Sequence, residues 1–129
     1  MIMPNHMHLI SSHEEGLSLS NIMRDFKHFT SSQIIKMLEE DNKRFYLSIF
    51  RKAGENRSKR CTTKVWQDEF HPEAITSEKW FRQKMEYMHN NPVRKGFVEK
   101  PEDWKYSSAR NWLCEDDSII KVKRDYIGF

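Results

Sequence analysis

The alternation of apolar and polar positions predicts a strand at the start of the chain, MIMPNHMHLI (1–10). Positions i and i+2 of a strand share a face, so His6 and His8 stand on one side while Met7 and Leu9 face the other. After the turn-like SSHEEG, Ser18 or Ser20 can cap a helix running to about Glu40. Its apolar positions Leu19, Ile22, Met23, Phe26, Ile34 and Leu38 follow the helical period and leave Arg24, Lys27 and His28 outside. A second amphipathic helix is predicted over 43–53, with Phe45, Tyr46, Ile49, Phe50 and Ala53 on one side and Gly54 as its stop. ENRSKRCTT (55–63) has no period and reads as a loop, whereas KVWQDEF (64–70) alternates like a strand. Thr76 or Ser77 caps a third helix, which Pro92 is expected to end. Together these elements predict one compact α+β domain spanning residues 1–129.

Composition narrows the class. In 129 residues, 37% are apolar and 32% charged, which allows a modest core under much solvated or ligand-facing surface. The sequence carries no apolar run of membrane-spanning length and no signal-like start, so no membrane partner is expected. Cys61 and Cys114 lie far apart without CxxC spacing and read as reduced thiols of a cytoplasmic protein.

The net charge of +3 is unevenly placed. Lys43, Arg44, Arg51, Lys52, Arg57, Lys59, Arg60 and Lys64 face one acid, Glu55, so residues 43–64 carry +7 and the remainder −4. Basic residues gathered this way suit a polyanionic partner, since each neutralised phosphate releases counterions; a solvated loop is the other reading.

The third helix, EKWFRQKMEYMHNN, sharpens the picture. Trp80, Phe81, Met85 and Met88 make its core stripe, and Tyr87 and Asn91 lie one turn apart at the stripe's edge. A tyrosine there is either a core aromatic with a wet tip or a hydroxyl presented to a ligand. The histidine pair is likewise either a solvated strand edge or half of a metal site. Trp66, Trp80, Trp104 and Trp112 are candidates for stacking on bases, although Trp80 belongs to the core stripe.

Taken in order, MPNHMHLI, VWQDEF and EYMHNNPVRKGFVEKPEDWKYSSA resemble the REP-associated tyrosine transposases, relatives of single-strand insertion-sequence transposases in the HUH endonuclease superfamily. The resemblance covers nearly the whole chain. HUH denotes His-hydrophobic-His, here His6-Met7-His8. It implies a ferredoxin-like antiparallel sheet flanked by helices, with the motif strand inside it. It further implies Mg²⁺ or Mn²⁺ at His6 and His8, with Asn91 as third ligand and His89 as competitor. Tyr87 becomes the nucleophile that forms a 5′-phosphotyrosyl bond with single-stranded or hairpin DNA. Arg24, Lys27, Arg57, Lys59 and Arg60 are the candidate DNA contacts; His71, His13 and His28 read as structural or surface residues.

One departure stands out: relatives of this kind place a further strand and helix before the HUH strand, within which Met1 falls here. The expectation is therefore a truncated product, a misassigned start, or a fragment that completes its sheet by pairing its exposed edge with a second copy. A binding remnant that recognises a hairpin without cutting it, and a plain metal-dependent phosphoesterase, remain as alternatives.

Overall fold

The computed structural model describes residues 1–12, 16–55, 62–68, 72–122 and 124. They fall into two compact units: one of Met1–Ser11 with Glu73–Phe129, the other of Ser12–Pro72.

In the second of these units, α1 (Leu19–Glu40) starts at Ser18, whose hydroxyl accepts the Asn21 N–H at 3.5 Å. It stops where Asn42 takes the left-handed conformation, φ 54°. The Lys43 N–H then returns to the Leu38 carbonyl at 2.8 Å and the Asn42 N–H to Glu39 at 3.1 Å, a Schellman closure with asparagine in glycine's place. α2 (Arg44–Gly54) follows directly, and Met23 and Leu47 are the buried apolar side chains among the described residues of this unit. The later segment meets both helices: Lys64 N–H bonds the Phe50 carbonyl of α2 at 2.8 Å, and Trp66 Nε1–H donates to Thr30 Oγ1 of α1 at 2.9 Å. A β-carbon on Gly54 would stand 2.9 Å from the Thr63 nitrogen, so only glycine lets the returning backbone come this close.

In the other unit, α3 (Glu78–Arg94) starts at Ser77, whose hydroxyl accepts the Trp80 N–H at 3.2 Å. Pro92 does not end this helix. It lies inside the last turn, fully buried, and its carbonyl accepts the Phe97 N–H at 2.9 Å while Gly96, at φ 71°, bonds Val93 at 2.9 Å. This second Schellman closure sets the true end, so the helix runs past Pro92 to Arg94. A short 3₁₀ turn (Pro101–Asp103) and α4 (Ala109–Leu113) complete the unit. Asn111, 1% exposed, gathers the following segment. Its amide donates to Asp117 Oδ1 at 2.7 Å and to the Ile120 carbonyl at 2.6 Å, and its own carbonyl accepts from Arg124.

The expected ferredoxin-like sheet is not what forms: among the described residues there are helices and no strand. The physical reason is visible in both candidate strands. Residues 1–10 double back at Pro4 and Asn5, and one antiparallel bridge, Ile2 to Met7, is all the pairing they make. Met3 N–H bonds the His6 carbonyl at 2.8 Å, His8 N–H bonds Met1 at 3.0 Å, and Pro4 has no N–H to offer. The backbone groups that a sheet would pair are thus used inside the turn or spent on Tyr106, whose carbonyl accepts Ile2 N–H at 2.8 Å. In the second candidate, Lys64 bonds to α2 and Trp66 to a side chain of α1, with no neighbouring strand among the described residues; Glu69 and Phe70 lie outside them. The edge on which the expected pairing of two copies rested is likewise not seen among the described residues.

Candidate metal and nucleophile site

The doubled-back start and α3 belong to the same unit and converge on one point. Asn91, 5% exposed on α3, holds its amide nitrogen 3.2 Å from His6 Nε2 and 3.1 Å from His8 Nε2. One amide NH₂ has two hydrogens, so it can donate to both rings if each Nε2 is unprotonated. That assigns the protons to Nδ1, and at His6 this nitrogen meets Asn5 Oδ1 at 2.7 Å. Asn5 therefore orients the His6 ring and leaves Nε2 as a lone-pair donor, the arrangement that metal-binding histidines use. The two imidazoles meet edge to face, ring centres 5.1 Å apart.

A half-turn of the Asn91 amide exchanges its nitrogen for its oxygen. The same position then offers two imidazole nitrogens and one oxygen to a common point. That donor set fits a divalent ion of intermediate hardness such as Mn²⁺, and Mg²⁺ less well. Among the described residues there is no group of three or more His, Cys, Asp or Glu side chains that could hold a metal; the third donor here is an amide.

Tyr87 stands one turn before Asn91 and is 50% exposed. Its ring meets His8 edge to face at 6.0 Å. The Arg94 guanidinium lies over its other contact surface, 5.0 Å from the ring centre. The His8 pKa is lowered first by burial, then by the charges of His6, the terminal amine and Lys84, which keeps the imidazole neutral and able to donate its lone pair.

His89 is placed elsewhere. It is buried with Nε2 2.9 Å from Ser108 Oγ, and burial, aided by the terminal amine, lowers its pKa to about 4. Of the two residues offered as third ligand, Asn91 is the one brought to the histidine pair. Arg24 and Lys27 lie on α1 in the other unit: Arg24 pairs with Asp25 at 2.9 Å, and Lys27 donates to the Gln67 carbonyl at 3.2 Å. Arg57, Lys59, Arg60, His13 and His71 lie outside the described residues.

Sequence reasoning missed Asn5 and Arg94. The signal for Arg94 was present, since it lies seven positions after Tyr87, on the same helix face two turns on. Ending the helix at Pro92 hid it.

A histidine pair, an amide and a half-exposed tyrosine are thus gathered in one place. Two curated proteins resemble the chain in sequence. It is 28% identical over 107 residues, 83% of this chain and 54% of the other, to a Haemophilus influenzae protein named as a REP-associated tyrosine transposase. It is 26% identical over 109 residues, 84% of this chain and 50% of the other, to the REP-associated tyrosine transposase of Escherichia coli. The chain is similar to these two proteins and spans about half the length of the curated relatives it matches. No family model matches it, and no solved structure does. No helix among the described residues is long and apolar enough to cross a membrane.

Proposed function

We propose that this chain carries a transposase-like DNA nicking and joining site, with Tyr87 as nucleophile and single-stranded or hairpin DNA as substrate. The observation that carries the reading is the convergence of His6, His8 and Asn91 beside an exposed Tyr87. His6, His8 and Asn91 would hold Mn²⁺ or Mg²⁺, which when bound supplies Lewis-acid polarisation of a phosphate oxygen.

The chain's own residues account for the rest. Asn5 sets the His6 tautomer, and Asn91 ties both rings to the helix that carries Tyr87 while no ion is bound; with an ion, its turned amide would offer oxygen to the same point. Half its surface in solvent, Tyr87 is open to a phosphodiester from outside. Its oxygen forms the new bond to phosphorus while the bond from phosphorus to the 3′ oxygen breaks. The phenol proton passes to solvent base, and the departing oxygen takes up a proton to become a free 3′-hydroxyl. The strand's 5′ phosphate remains esterified to Tyr87, and the bond energy is conserved for rejoining. The Arg24, Lys27, Arg57, Lys59 and Arg60 side chains are proposed to hold the DNA backbone outside this site.

The test is to incubate the chain with Mn²⁺ and a labelled pool of random single-stranded oligonucleotides with hairpin-forming ends, denature, and look for labelled protein. Wild type should form an adduct whose DNA can be recovered and sequenced. Tyr87→Phe, which removes one oxygen, should form none while binding the pool as before. An undiminished adduct in Tyr87→Phe would place the nucleophile elsewhere. Binding without any adduct from wild type would favour recognition without cleavage.

A further inference from the structure

We infer that Arg94 holds the phosphate that Tyr87 attacks, an inference that rests on the nucleophile assignment above. Three observations converge on it. The guanidinium carbon stands 5.0 Å from the Tyr87 ring centre, so the cation stays beside the candidate nucleophile. Every other arginine described in this unit is held by a carboxylate: Arg82 by Glu78, Arg110 by Asp116 at 3.2 Å, and Arg124 by Asp117 at 3.0 Å. Arg94 has no carboxylate and no hydrogen-bond partner among the described residues, and its side chain is exposed. Its planar fork therefore stands uncommitted beside the hydroxyl that would meet a phosphodiester.

Arginine is suited to this because its N–H groups match two phosphate oxygens at once. The non-bridging oxygens gain charge as phosphorus is attacked, and a fixed donor there lowers the barrier. The placement depends on the end of α3. With the helix stopped at Pro92, residue 94 would leave the Tyr87 face; the Gly96 closure keeps Arg94 as the last helical residue. Arg94 thus touches substrate, while Gly96 acts only by positioning it.

The experiment compares wild type, Arg94→Ala and Arg94→Lys on the oligonucleotide recovered from the wild-type adduct. Each is tested with a normal phosphate and with a neutral methylphosphonate at the attacked position. On normal phosphate, Arg94→Ala should slow adduct formation by about 100-fold or more, the usual cost of losing one such donor. Arg94→Lys, which restores charge without the fork, should recover part of it. On methylphosphonate the wild type should slow, and Arg94→Ala should be no slower than wild type, because the charge that arginine balances is gone. A near-wild-type rate for Arg94→Ala on normal phosphate, or an equal loss on both substrates, would overturn the inference; the latter would mean that Arg94 only props the tyrosine ring.

Metal-free binding of the random pool separates the two readings if wild type gives no adduct. A phosphate contact predicts that Arg94→Ala flattens the salt dependence by about 0.7 in logarithmic slope. A slope unchanged from wild type would overturn the contact itself, whatever becomes of the nucleophile.

Discussion

The two units solve the folding problem with different materials. Among the described residues the buried polar side chains, His89, Asn91, Ser107 and Asn111, all lie in the unit that holds the candidate site. The unit of Ser12–Pro72 buries Met23 and Leu47 and joins two regular helices by a local asparagine turn. Among the described residues both units bury a few apolar side chains, Met3, Met88 and Ala109 in the site unit against Met23 and Leu47 in the other, so what sets the site unit apart is the set of polar groups it withdraws from water. The difference teaches where chemistry can be placed. Polar groups withdrawn from water need defined partners, and a unit built on such partners fixes donor atoms in a way that an apolar stripe does not.

The strongest way to break this comparison is at the histidines. Replacing His6 and His8 together by alanine should abolish adduct formation and Mn²⁺ uptake, read by calorimetric titration, while helical circular dichroism stays as in wild type. Retained cleavage would remove the pair from the chemistry.

Next in size are two core truncations that set the units against each other. Leu47→Ala should cost about 3 kcal/mol through lost burial and the cavity left behind. Asn111→Ala should cost about 2 kcal/mol, because the Asp117 carboxylate and the Ile120 carbonyl each lose a donor. Urea unfolding measures both, and hydrogen exchange localises them: the first should loosen α1 and α2, the second the segment after α4. Reversed locations would dissolve the distinction between the units.

The effect smallest at neutral pH, because it emerges only on acidification, is that of His89. His89 is held neutral in the fold, with its pKa lowered from 6.5 to about 4. Below pH 6.5 the unfolded chain takes up a proton that the folded chain refuses, so stability falls with pH down to about 4 and this group adds nothing further below that. Thermal melts between pH 4 and 7.5 should show a shallower acid slope for His89→Gln than for wild type. Equal slopes would mean that His89 is no more withdrawn from water than an exposed histidine.

The helical part of the fold was legible because its signals are local. Ser18 and Ser77 cap helices at the predicted places, and α2 occupies nearly the predicted span. The two strands were misread because alternation tells which side chains share a face and says nothing about what the backbone pairs with. Residues 1–10 bond to themselves and to Tyr106, and Lys64 bonds to α2. Pro92 was misread because its missing N–H and ring clash are local penalties, whereas its burial and the turn at Gly96 depend on residues after it. In the site, the His6–His8 spacing survives the loss of the strand: both rings still reach Asn91, through a doubled-back turn instead of a sheet.

That turn has a consequence for how the site assembles. His6 and His8 sit two residues apart, while Asn91 lies 85 and 83 positions away from them. Two of the three donors are therefore neighbours in any conformation of the chain, native or not, and only the third waits on long-range closure. The proposed metal ion would find the imidazole pair before folding is complete. Its affinity for the unfolded ensemble subtracts from what it adds to the native one. Adding Mn²⁺ should then raise the melting temperature less than a site with three distant ligands would allow, with Asn91 supplying most of the gain.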